Sequence, residues 1–276
     1  MISRGRCFPL SLALGLVVLV FLSPLSLAFA AEGPVLSGRA CALRLDHSGL
    51  LFPTDHIPDV WRCQMAEVIQ HPTTTSLTGP LDIPISRDLY AYLLDHLTLT
   101  AALVRELGLG QYRVELRGDH RVWLDDGEGT SGELQLVRQD DGTRLYLIDG
   151  EHHSRLFPVI KGKAVVLMAT KVTGVGQSGP TVETTIVTYT QLHNSFLSGV
   201  VRLFQSFIGE TVTRKITKAF SVTNQLAAVA AENPQNIVAL AQRQTVVTQG
   251  EVATFAALVG QLHSPSRERA TLRTLP

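Results

Sequence analysis

The residues of this 276-residue chain that could do chemistry fall in a few short stretches. Gly174-Val175-Gly176-Gln177-Ser178-Gly179 matches, letter for letter, the G-x-G-x-x-G loop that seats a pyrophosphate. That loop works only between a strand and a helix, where the helix's free N–H groups and dipole meet the anion. Here Pro180 and a β-branched run follow, so the segment reads as a hairpin between two long strands. Glu151-His152-His153 offers metal-ligand types, but neighbours in a strand point to opposite faces, and two such imidazoles do not readily share one ion. A zinc enzyme would show H-E-x-x-H or a comparable spacing. Asp95-His96 and Asp119-His120 set an acid beside an imidazole in sequence only, which says nothing about a triad. No G-x-S-x-G elbow is present. The pairs Asp125-Asp126 and Asp140-Asp141 precede glycines and read as solvated turns. These stretches give no catalytic constellation, and neither a cofactor nor a metal is expected.

Cys41 and Cys63 remain. They read as one disulfide if the chain reaches an oxidising compartment. The rival is a metal site with His47, His56 and His71, at a spacing that matches no zinc pattern. The N-terminus favours the disulfide. Arg4 and Arg6 precede an apolar run over residues 8–30 that ends Ala28-Phe29-Ala30, small residues at the positions a signal peptidase reads. Residues 1–30 are therefore expected to be a cleaved signal peptide, and the protein periplasmic or secreted. The alternative is an uncleaved anchor, since the run is long enough to span a bilayer. Beyond residue 30 no apolar stretch approaches a membrane span. Removing Arg4 and Arg6 from 24 basic against 24 acidic side chains leaves a net charge of −2. A nucleic-acid partner wants a basic face, so none is expected.

Hydrophobic periodicity supplies the elements. Residues 31–80 are rich in Pro, Gly and Thr and read as an irregular extension pinned by the disulfide. Its one helical piece is 59–70, and 71–75 reads as a linker. A helix is predicted over 86–107, capped by Ser86 and stopped by Gly108. From 111 to 193 the period changes to two, with turns at Asp125-Asp126-Gly127 and Asp140-Asp141-Gly142 and no helix between, which predicts an antiparallel meander. A helix of thirty-odd residues follows, to about Pro234, with Phe204, Ile208, Val212, Ile216, Phe220 and Leu226 on one stripe. Its other side carries Arg202, Glu210, Arg214, Lys215 and Lys218, mostly residues that belong in water. Two short helices, 235–243 and 252–262, and a polar tail complete residues 233–276.

The expected class is α+β: a curved antiparallel sheet gripping a long C-terminal helix. Over residues 81–232 this order resembles the START-like, or helix-grip, superfamily of hydrophobic-ligand carriers and polyketide cyclases. It rests on the helix 86–107, the strands of 111–193, and Asn194-Ser195-Phe196 leading into Arg202-Leu203-Phe204 and the long stripe. The resemblance implies an apolar cavity between sheet and helix, holding a lipid or other apolar small molecule. Trp123, Tyr146, Met168, Tyr189, Phe204, Phe207 and Phe220 are then the expected lining. Two other readings stand beside it. One is a cell-envelope interaction protein with a filled core, which meets a protein partner through 31–80 or 235–263. The other is a cyclase-like or hydrolytic enzyme.

Overall fold

The structure is a computed structural model. It describes residues 41, 43, 46–47, 50–51, 57–153, 159–176, 179–193 and 201–262, with backbone but not side chains at 201–209, 212, 216 and 220 among others. The expected signal peptide lies outside the described residues. The elements are β1 (Asp46–His47), β2 (Leu50–Leu51), α1 (Asp59–Gln70), β3 (Thr74–Ile83), α2 (Arg87–Asp95) and α3 (Leu97–Glu106). There follow β4 (Arg113–Gly118), β5 (Arg121–Asp125), β6 (Thr130–Asp140), β7 (Thr143–His152), β8 (Ile160–Gly176) and β9 (Gly179–Leu192). The chain closes with α4 (Val201–Glu232), α5 (Pro234–Gln242) and α6 (Gln249–Gln261).

The class is α+β. Seven strands make one curved, unclosed antiparallel sheet in the order β3-β9-β8-β7-β6-β5-β4. The meander β4 to β9 is the one the alternating period predicts, and its turns use the predicted chemistry. At the β6–β7 turn Gly142 takes φ +95°, which an L side chain rarely adopts. The G-x-G-x-x-G segment joins β8 to β9, with Gly176 opposite Gly179, so it has a strand on each side and no helix to bind phosphate.

Two expectations need correction. Residues 71–75 are not all linker, and 80/81 is not a boundary. Thr74 onward forms β3, an edge strand of the main sheet paired along β9. Gly79-Pro80 occupies a register shift between Thr78 and Leu81, at an edge where a missing N–H costs no ladder bond. The predicted helix 86–107 is two helices. Ser86 caps the first, its Oγ accepting from Leu89 N–H at 3.3 Å. His96 then leaves helical geometry at φ −116°, ψ 57°. The break is satisfied locally: the Thr100 hydroxyl donates to Leu93 C=O at 2.7 Å, and the His96 ring stacks on Tyr92 at 3.8 Å.

The two faces of the sheet carry different layers. On one, α1 packs Met65, Val68 and Ile69 against Leu145, Leu147, Val165, Leu167, Val187 and Tyr189. Cys63 of α1 is bonded to Cys41, which excludes the metal reading of that pair. With a sequence separation of 22, the cross-link restricts the unfolded chain by about 3 kcal/mol in the chain-entropy account. On the other face α2, α3, α5, α6 and the C-terminal half of α4 bury Leu89, Leu99, Leu103, Leu226, Ile237 and Phe255 against Ile83, Met168, Val182 and Ile186. Helix α4 has 32 residues, about 48 Å at 1.5 Å per residue. It packs on β3 and touches α3 and α5. Its end is fixed by Asn233, which caps α5, and by a Thr248–Glu251 capping box that starts α6.

Candidate functional site

The same face that carries the helical core opens, toward the other end of its strands, into a hollow of about 310 Å³. Its floor is written by cross-strand register. Gly132 of β6 stands opposite Gly150 of β7, and Gly150 opposite Gly162 of β8. A Cβ at Gly132 would lie 2.5 Å from Asp149 O, at Gly150 2.8 Å from Ser131 O, and at Gly162 2.6 Å from Gln191 O. Neighbouring backbone thus comes closer than any side chain allows, and a row of glycines in register lets the sheet bend sharply there. Around this row Leu124, Leu134, Ile148, Ala164, Val166 and Leu192 give an apolar wall. Thr188 and Thr190 of β9 line one side, and Thr211 and Lys215 of α4 reach over it.

Charged groups fasten α4 at the rim. Lys215 Nζ donates to Asp126 Oδ2 at 2.5 Å and to Glu128 Oε2 at 2.9 Å, and Lys218 pairs with Glu128. Asp126 is held rigidly, since its Oδ1 also accepts from the N–H groups of Glu128 and Thr130 at 2.7 and 3.0 Å. Burial opposes its charge, but the Lys215 ammonium and the backbone donors outweigh it and hold its carboxyl below the usual range. Sequence reasoning read Asp126 as a solvated turn residue and Lys215 as solvent-facing. Their side chains are 10% and 23% exposed because each neutralises the other where turn and helix meet. His152 lines the hollow too, 2.9 Å from Thr130 Oγ1, and burial followed by the Lys215 charge holds its imidazole below the ordinary value. His153 points away and pairs with Glu151 at 2.8 Å, so the two imidazoles part as strand alternation requires.

Of the expected lining residues, the four on described strands are not brought together. Met168 lies in the helical core of the hollow's face, and Tyr146 points to that same face, opposite Val166. Tyr189 packs under α1 on the other face, where register also places Trp123, opposite Glu133 on one side and Glu115 on the other. The error was one of parity: strand residues were grouped by aromatic type without fixing which share a face. Phe204, Phe207 and Phe220 lie on α4, and their side chains fall outside the described residues. The glycine row was missed, although interior strand glycines at 132, 150 and 162 are themselves a signal of bending or close approach.

A second hollow, of about 370 Å³, lies at the β6–β7 turn beside α2. Here Arg144, 7% exposed, donates to Asp95 Oδ1 at 2.6 Å. Nearby, burial pushes the Tyr90 hydroxyl up to about 12. This ion pair joins α2 to β7, with Arg144 buried and the Asp95 side chain 39% exposed. Among the described residues no group of three His, Cys, Asp or Glu side chains could hold a metal ion. No helix among them is long and apolar enough to cross a membrane.

No protein-family model matches this chain, and a comparison with curated proteins finds no match. Among solved structures, it is similar to a conserved protein from Geobacillus kaustophilus at 11% identity and a TM-score of 0.39, over 56% of this chain and 95% of that one.

Proposed function

We propose that this protein is an exported carrier or sensor of an apolar small molecule or lipid, bound in the hollow between the bent sheet and α4. The observation that carries the reading is the glycine row with its apolar wall. Three glycines in register remove side-chain volume where the strand alternation would otherwise place core residues, and Leu124, Leu134, Ile148 and Val166 surround the space. Small-molecule sites have this character: concave, mainly apolar, with a few polar groups. The Cys41–Cys63 disulfide and the signal-like residues 1–30 support export.

Native mass spectrometry of protein purified from the cell envelope, followed by organic extraction, tests the carrier reading. A co-purified apolar molecule is the expected result. A bare mass, together with failure to bind any neutral apolar fluorophore, sinks it and favours an envelope interaction protein with a filled core. Export has its own test: N-terminal sequencing should begin at Ala31, and a start at Met1 would mean an anchored protein.

A further inference from the structure

The wall of the hollow is not uniformly apolar, and one of its buried hydroxyls stands out. Thr188 is 3% exposed and lines the hollow, yet its hydroxyl has no hydrogen-bond partner among the described residues. Ser76 stands directly opposite Thr188 on β3, and its buried Oγ is also without a partner. Two residues on, pointing to the same face, the hydroxyl of Thr78 is buried and equally unpartnered. An unmade hydrogen bond at a buried hydroxyl costs stability that an apolar residue of the same shape would avoid. Thr188 lines the hollow itself, while Ser76 and Thr78 continue the same face along β3 outside it; the Thr188 hydroxyl is accounted for if something in the hollow completes it.

The charged groups nearby do not offer that service to an ion. Lys215 is held by Asp126 and Glu128. Lys163, though its backbone borders the hollow, occupies an odd strand position opposite Asp149 and points to the other face. Of the other charged groups, Arg214 is exposed on α4 and donates to Thr211, Glu151 pairs with His153 and Lys161, and burial and the lysine charge around His152 favour its neutral ring. A carboxylate or phosphate buried here would lack a counter-charge, which is costly in an apolar site.

From this we infer that the molecule bound in the hollow is uncharged and carries a hydrogen-bonding oxygen, an alcohol or carbonyl, that is met by Thr188 at the β3–β9 edge, with Ser76 opposite it. This rests on the carrier reading above and adds the ligand's chemical class and orientation: oxygen toward β9, hydrocarbon along Leu134, Ile148 and Ala164.

Competition against neutral phenylnaphthylamine fluorescence, with dodecanol and dodecanoate as ligands at pH 8, separates the two claims. Dodecanol should displace the probe, and dodecanoate should do so at least tenfold more weakly. Thr188→Val should weaken dodecanol about three- to tenfold, the loss of one hydrogen bond, and leave phenylnaphthylamine affinity unchanged. Because the hydroxyl is unpartnered in the free protein, the same variant should melt at the wild-type temperature or above it. Thr188→Val with Ser76→Ala should weaken dodecanol further. If the probe binds but dodecanoate competes as well as dodecanol, or Thr188→Val leaves dodecanol unaffected, this inference is overturned while the carrier reading stands. If neither probe nor dodecanol binds the wild type, both fall.

Discussion

The two faces of the sheet are made from alternate residues of the same strands, yet they are built to different ends. In β7, Leu145 and Leu147 point toward α1 and are fully packed, while Tyr146, Ile148 and Gly150 point the other way and shrink toward the hollow. In β8 the same alternation sets Val165 and Leu167 against Gly162, Ala164 and Val166. The α1 face is dense where Leu145, Leu147, Val165, Leu167, Val187 and Tyr189 meet α1, and turns polar beyond it at Glu133, Asp149 and Lys163. The opposite face is dense only where α2, α3, α5 and α6 cover it, and thins out where the glycines stand. A hollow in a sheet protein therefore needs no missing element. It needs small residues at one parity and in register on adjacent strands.

That contrast can be broken by substitution. The largest effect is expected on the α1 face: Leu147→Ala should cost about 2–5 kcal/mol, as buried Leu truncations do. Its neighbour Ile148→Ala, on the hollow's wall, should cost about 1 kcal/mol, since its side chain already lacks partners on one side. Equal losses in chemical denaturation would show that the two faces are packed alike. Next comes Gly150→Val, whose Cβ would meet Ser131 O at 2.8 Å. It should cost about 1–3 kcal/mol by forcing the strands apart and should abolish binding of a neutral fluorophore, whereas unchanged binding would show that the glycine row does not shape the site.

A smaller effect concerns the fastening of α4. The Asp126 carboxyl is depressed in the folded state, so its contribution is present above the ordinary carboxylate range and is lost as pH falls through the folded value. Thermal melts should show the wild type losing stability over Asp126→Asn below about pH 4, and the variant should be about 1–2 kcal/mol weaker at pH 7. A constant gap across that range would mean that the contact with Lys215 contributes nothing. The smallest effect belongs to the exposed Glu115–Arg117 pair on the outer strand β4. Glu115→Gln should change stability by less than about 0.5 kcal/mol, as solvent-exposed pairs do, and a larger loss would mean that β4 is buried against a partner.

How legible was this in the sequence? The strands were, because β4 to β7 alternate, β8 and β9 are apolar and β-branched runs, and Asp-Asp-Gly turns part β5 from β6 and β6 from β7. The disulfide was, because two cysteines beyond a signal-like segment leave one pairing. The break at His96 was hidden, since Leu89, Leu93 and Leu97 keep helical spacing straight across it and the break depends on Thr100 and Tyr92. β3 was hidden by Gly79-Pro80, which only an edge position permits. The hollow was the least legible part. Aromatic type pointed to Trp123, Tyr146 and Tyr189, but the hollow's character comes from glycines and threonines whose meaning depends on which residues stand opposite them, and register is a property of pairs of strands.

The place of β3 also bears on how the chain can fold. Written before every other strand of the sheet, it is paired only with the last of them; the Thr73 hydroxyl accepts from Leu192 N–H across 119 residues of intervening chain. Contacts this remote are closed late, because the whole loop between them must be ordered first. The meander β4 to β9 can assemble from neighbour to neighbour, but the β9 edge stays unpaired until the N-terminal segment returns to it. A chain made from its N-terminus thus carries β3 with nothing to pair with until β9 has followed, so this edge is the last part of the sheet to close.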